Sequence, residues 1–214
     1  LGHSEGEFEN THFTSNVTDL FAAVSALTAR GMQPSLLIGH SLGGAAVLKA
    51  AADLPDIRAV VTLGAPADPA HVIHNFGASL DAIAEHGKAE VSLAGRLFTI
   101  SQDFVDDVSA AQIDASIARL KSALLVLHSP IDQTVGIENA SRIFTAAKHP
   151  KSFVSLDQAD HLISDASDAE YAAEVIAAWA RKYLPEGGNI PDDVVPEGIL
   201  RVSEGDRNGF LQDI

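Results

Sequence analysis

Gly39-His40-Ser41-Leu42-Gly43 places a serine between two glycines. It follows the apolar run Leu36-Leu37-Ile38 and leads into the small-residue stretch Gly43-Gly44-Ala45-Ala46. A serine so placed sits on a sharp, strained strand-to-helix turn, with its hydroxyl clear of the sheet. The flanking glycines let backbone and neighbouring elements approach where a Cβ would clash. The N–H of Leu42 opens the helix, and it can donate to the oxyanion of a tetrahedral intermediate. A serine hydroxyl is a weak nucleophile until a base takes its proton. The chain must therefore supply an imidazole, and a carboxylate to orient it.

His161 is the candidate base. Among nine histidines it has both the chain order and the position, in the loop Asp157-Gln158-Ala159-Asp160-His161 after the last strand. Asp132 is the candidate acid, in His128-Ser129-Pro130-Ile131-Asp132-Gln133-Thr134-Val135 after the preceding strand. A buried carboxylate there would fix the tautomer of His161 and stabilise its imidazolium. Each residue also has a plainer reading. Ser41 would be idle in a glycine-rich turn, His161 an exposed loop residue, and Asp132 a turn former after Pro130. Asp68, after the earlier strand, is the substitute acid. His40, His128 and His149 read as strand-end or loop residues. His71 and His74 lie three apart, but no acidic partner stands at ligand spacing, so no metal is expected.

These residues need a scaffold. Val17, Leu20, Phe21, Val24 and Leu27 recur at helical spacing, with Thr14 or Ser15 as the cap and Gly31 as the stop. Leu36–Ile38 is a buried strand, Leu42–Ala52 a buried helix and Ala59–Leu63 a second strand ending at Gly64-Ala65-Pro66. Residues 67–120 break the rhythm and read as an inserted lid above the sheet. Within it, Ile73–His86 is partly helical. Glu90–Leu93 and Arg96–Ile100 form a hairpin about Ala94-Gly95, and one or two helices span Phe104–Leu120. Strand Ala123–His128, helix Ile137–Ala147 and strand Ser152–Leu156 follow. A last helix opens with Ser167 and Glu170 at capping-box spacing and runs through Tyr171, Val175, Ile176, Trp179 and Tyr183. Strands and helices alternating over short connections predict an α/β fold with a parallel sheet. Residues 185–198, rich in Pro, Gly and Asp, read as a linker.

Composition narrows the function. Hydrophobic residues make up 46% of 214, enough for a sizeable core. Aromatics are only 6%, so Ala, Val, Leu and Ile carry the interior, which suits buried parallel strands under Ala-rich helices. A net charge of −15 would repel nucleic acid and anionic membrane. With no cysteine, the chain has no disulfide, thiolate metal site or cysteine nucleophile. No apolar run is long enough to span a bilayer, and no secretory pattern opens the sequence, so a cytoplasmic location is expected.

Gly39–Gly44, the Asp132 loop and the His161 loop together resemble the α/β-hydrolase superfamily, nearest its serine-aminopeptidase and acylglycerol-lipase-like branch. The opening Leu1-Gly2-His3-Ser4-Glu5-Gly6 is similar to the loop after that family's fourth strand, and the likeness covers residues 1–184. Gly64–His71, Glu90–Ile100 and His149–Phe153 resemble bacterial proteins in which such a hydrolase is fused to an OsmC-type peroxide reductase. Residues 199–214 look like the start of that second domain. The two cysteines that family uses are not in this chain. The resemblance implies four further strands before Leu1, including a loop with a second oxyanion donor. Loss of one such donor costs roughly 10²–10³ in rate, so efficient turnover is not expected without them.

The expected function is hydrolysis of a carboxylic ester or related acyl bond of a small molecule through an acyl-enzyme, with no metal or organic cofactor. Ester and amide substrates stay open, because the three residues serve both. A haloalkane dehalogenase-like chemistry would need Asp in place of Ser41. The alternative of a different class is a non-catalytic, hydrolase-like binding or scaffold domain serving a fused partner.

Overall fold

The computed structural model describes residues 8–93, 96–184, 201–204 and 210–213. The expected loop at 1–7, the Ala94-Gly95 turn and the linker at 185–198 lie outside the described residues.

Four parallel strands form the central sheet in the order β1-β2-β5-β6: β1 Leu36–His40, β2 Ala59–Leu63, β5 Ala123–His128 and β6 Lys151–Ser155. The middle two are buried at every residue, as their unbroken apolar runs require. Alternation along each strand divides the interior. Val60, Leu124 and Val126 face a core shared with helices α1 (Phe13–Ala29), α2 (Leu42–Ala51) and α6 (Glu138–Ala146). Val61, Leu63, Leu125 and Leu127 face the opposite core, against Ala172, Val175, Ile176 and Trp179 of α7 (Ala166–Ala180). Helix α2 closes tightly on the sheet because its inward residues are small: Gly44, Ala45, Ala46, Ala50 and Ala51 are all buried.

The segment 67–120 holds a 3₁₀ turn at Pro69–Phe76, α3 Ser79–His86, the antiparallel pair β3 Lys88–Leu93 and β4 Arg96–Ser101, α4 Gln102–Ala110 and α5 Asp114–Ala118. Phe76, Ile83, Val91, Ile100, Phe104, Val108 and Ile117 join the same core as α2, so this segment is fused to the helical layer by shared apolar contacts. A second antiparallel pair, β7 Arg201–Glu204 and β8 Phe210–Asp213, belongs to a unit separate from residues 1–184.

Two helix starts differ from expectation. Neither Thr14 nor Ser15 is the N-cap of α1. His12 is, and the Ser15 hydroxyl instead accepts the His12 backbone N–H at 2.9 Å. Ser167 and Glu170 do not form a capping box on α7. Asp165 is the N-cap and accepts the Ser167 N–H at 2.8 Å. A carboxylate satisfies an orphan N–H as well as a hydroxyl does, and it also complements the helix dipole. Tyr183 lies beyond the end of α7, and its ring sits 4.7 Å from that of Trp179.

Candidate active site

Every strand of the sheet delivers its carboxyl end to one edge, and the expected chemistry gathers there. Three backbone bonds stitch the strand exits together. Ser41 N–H donates to Leu63 O at 2.8 Å, Gly64 N–H to Leu127 O at 3.0 Å, and Leu156 N–H to His128 O at 3.0 Å. The turn carrying Ser41 is thereby fixed relative to the loops that leave β5 and β6.

Ser41 has φ 53° and ψ −129°, a backbone conformation that L-residues rarely occupy. Holding it there costs about 1–3 kcal/mol, which the surrounding structure must offset. Two glycines make the bend possible, and they differ from the expected pair. A Cβ on Gly39 would come within 2.6 Å of the carbonyl carbon of Gly43, and one on Gly44 within 2.5 Å of the Ala65 Cβ. A Cβ on Gly43 would meet nothing within 4 Å. The close approach at the C-terminal side of the bend is therefore made by Gly44 against the loop after β2, and not by Gly43.

Ser41, His161 and Asp132 come together. His161 Nε2 lies 3.0 Å from Ser41 Oγ, and His161 Nδ1 lies 2.7 Å from Asp132 Oδ2. A carboxylate only accepts, so Nδ1 carries the proton and Nε2 presents its lone pair to the serine hydroxyl. The Asp132 side chain is 2% exposed and that of His161 12%. Burial pushes the Asp132 pKa up. The hydrogen bond from His161, the N–H groups of Val135 and Thr134 and the His161 charge outweigh it, holding the carboxyl below its ordinary range. Those two N–H groups reach the other carboxylate oxygen, Oδ1, at 2.9 and 2.8 Å. Asp68, the substitute acid, instead caps the 3₁₀ turn by accepting the Ala70 N–H at 3.0 Å.

The floor beneath Asp132 and His161 is Gly64, with φ +54°. A Cβ there would lie 3.3 Å from Asp132 Oδ2 and 3.4 Å from His161 Nδ1. The only sequence signal for this role was the Gly64-Ala65-Pro66 stop after β2. The His161 loop is itself tightly wound: Ile163 has φ 53°, rare for a β-branched residue, and Asp160 Oδ1 accepts the Ser164 N–H at 2.8 Å. His40, expected to be a strand-end residue, ends β1 and also engages the base loop, with Nε2 donating to the His161 carbonyl at 2.6 Å. Burial lowers the His40 pKa most. The bond to the His161 carbonyl raises it, the His161 charge lowers it and Asp132 raises it, for a net fall. Leu42 is the first residue of α2, so its N–H has no carbonyl a turn behind it.

With this geometry established, comparison with known proteins assigns the family. The family model described as "Alpha/beta hydrolase family" matches residues 1–198. The chain belongs to the alpha/beta hydrolase family. Among solved structures, this hydrolase is similar to the esterase domain of a Rhodothermus marinus protein: identity is 49%, over 82% of this chain and 72% of that one, with a TM-score of 0.68. Est1E from Butyrivibrio proteoclasticus shares the fold at 19% identity, over 81% and 71% of the two chains, with a TM-score of 0.67. The monoacylglycerol lipase of Paleococcus ferrophilus shares it at 20% identity, over 85% and 79%, with a TM-score of 0.66. No curated protein matches the hydrolase. Among the described residues no helix is long and apolar enough to cross a membrane.

Proposed function

We propose that the protein is a serine hydrolase that cleaves a carboxylic ester, or a related acyl bond, of a small molecule through an acyl-enzyme. The reading rests on the relay Ser41–His161–Asp132, with its 3.0 and 2.7 Å links and a single consistent tautomer. Ser41 Oγ attacks the substrate carbonyl carbon while His161 Nε2 takes the hydroxyl proton. The carbonyl oxygen becomes an oxyanion, and the Leu42 N–H donates to it. Collapse breaks the bond to the leaving alkoxide, which takes the proton back from His161. Water then repeats the sequence on the acyl-Ser41 ester, releasing acid and restoring the hydroxyl. Throughout, Asp132 stays ionised, holding Nδ1–H and stabilising the imidazolium. The 49% identical esterase domain supports an ester as the substrate.

A fluorophosphonate probe tests this reading. It should label the protein stoichiometrically, and Ser41→Ala should abolish labelling. Ser41→Ala should also lower hydrolysis of a p-nitrophenyl ester by about 10⁴-fold or more, and Asp132→Asn by about 10⁴-fold. Full-length protein that folds but neither labels nor turns over would instead be a binding or scaffold domain.

We also propose that an OsmC-like domain begins at residue 199. The end of the family match at residue 198 and the separate unit holding β7 and β8 support this. A native gene product running on past Ile214 into a cysteine-bearing domain would establish it, and one stopping there would refute it.

A further inference from the structure

Asp132 divides its two oxygens between two tasks. Oδ2 faces the base, and Oδ1 accepts the N–H groups of Thr134 and Val135 at 2.8 and 2.9 Å. The carboxylate is therefore only as steady as those two residues. Their carbonyls point elsewhere, and each meets an imidazole. His128 Nε2 donates to Val135 O at 2.7 Å, and His71 Nε2 donates to Thr134 O at 3.1 Å. We infer that His71 and His128 are positioning residues for the proposed hydrolysis, clamping residues 134 and 135 so that Asp132 is held on His161.

The two histidines arrive from different parts of the fold. His128 is the last residue of β5 and is fully buried. Its Nε2 is 3.8 Å from Asp132 Oδ2, too far for a hydrogen bond, so its effect on the acid passes through Val135. His71 is half-buried in the 3₁₀ turn after β2, so the clamp ties the start of the 67–120 segment to the acid loop. That bond occupies the Nε2 of His71, three residues before His74. His128 Nδ1 is enclosed and, among the described residues, has no hydrogen-bond partner. An unpartnered buried nitrogen is a cost that an apolar residue of similar volume would not carry. What His128 supplies in return is an N–H on Val135 O. Since Val135 is itself buried, no solvent molecule easily replaces that donor.

This inference rests on the serine-hydrolase reading for its kinetic consequences but not for its structural one, so two measurements separate them. The first is the low-field NMR resonance of the His161 Nδ1 proton in the full chain, which reports the bond to Asp132 whether or not the protein turns over. His71→Leu and His128→Leu should broaden or shift it, and His71→Gln and His128→Gln, which keep an N–H donor, should restore it. An unchanged resonance in folded His71→Leu overturns the clamp. His71 is half-buried, so this variant remains informative if His128→Leu fails to fold. The second is p-nitrophenyl ester hydrolysis, with thermal melting as the folding control. His71→Leu should lower kcat about tenfold with KM unchanged, a smaller loss than the roughly 100-fold of a 1 Å misplacement. The same substitution in an Asp132→Asn background should cost nothing further, because the carboxylate it steadies is gone. An equal loss in both backgrounds, or a rise in KM alone, overturns the inference. Full-length wild-type protein with the resonance intact but no Ser41-dependent turnover would refute the hydrolase reading and leave the clamp judged on the resonance.

Discussion

A methyl group at position 64 would stand directly under the bond between Asp132 and His161, 3.3 Å from the carboxylate and 3.4 Å from the imidazole. It would also force a side chain into positive φ. Gly64→Ala should therefore lower kcat by roughly 10- to 100-fold while leaving KM nearly unchanged. Steady-state kinetics beside a thermal melt separates this from unfolding. The lowered pKa of Asp132 has its own consequence. The folded state binds this proton less readily than the unfolded chain, so the carboxylate stabilises the fold above the unfolded value of about 3.9. That contribution is lost as pH falls through the folded value. Melting curves from pH 7 to 3 should show the advantage of wild type over Asp132→Asn shrinking with acidity. An advantage that grows toward low pH would contradict the sign. The meeting of Ser41, Asp132 and His161 was readable because each follows an apolar strand, in the chain order the proposed chemistry would use. Gly64 was not, since its role depends on two side chains 68 and 97 positions away, and no local pattern records that.

At the level of elements, the bend before α2 offers a paired test. Gly43 has open space where a Cβ would go, whereas Gly44 meets Ala65. Gly43→Ala should hold or raise the melting temperature, with a gain of up to about 1 kcal/mol from helix propensity. Gly44→Ala should lower it, because helix α2 must move off the β2 exit. Equal effects would mean that the approach of α2 to Ala65 is not what limits this turn. The buried strands β2 and β5 were legible as apolar runs, and the one or two helices expected over Phe104–Leu120 correspond to α4 and α5. The caps were less so. Asp165 displaced Ser167, and His12 displaced Thr14 and Ser15, because several polar residues near each start could satisfy the same orphan N–H groups and only the entering chain direction chooses among them. Residues 67–120 read as an inserted lid, but their attachment to the α2 layer came from packing between distant apolar residues.

For the molecule as a whole, the sheet has an asymmetry of solvent contact. β2 and β5 are covered on both faces, while β1 pairs with β2 on one side and, among the described residues, with no strand on the other. Ile38, in the middle of β1, is 50% exposed. An apolar edge of this kind invites strand pairing between copies, and an added charge discourages it. Ile38→Lys should reduce concentration-dependent association in light scattering of the 214-residue chain, with little change in its melting temperature. If wild type stays monomeric at high concentration, the edge is not accessible. The −15 net charge opposes such association at neutral pH and low salt, so the effect should sharpen as salt screens it. The parallel architecture was visible in the alternation of elements. The division into two cores needed only the pleat, which sends Val60 and Val61 opposite ways.

The backbone at Ser41 carries a last implication. Its positive φ is comfortable for glycine alone. A Ser41→Gly protein should thus be inert toward esters yet outlast the parent on heating. Selection for fold durability and selection for turnover then pull this one codon in opposite directions. A lineage released from the need for hydrolysis would shed the hydroxyl along a path that makes it sturdier, leaving a hardy relic with every other part of the site in place.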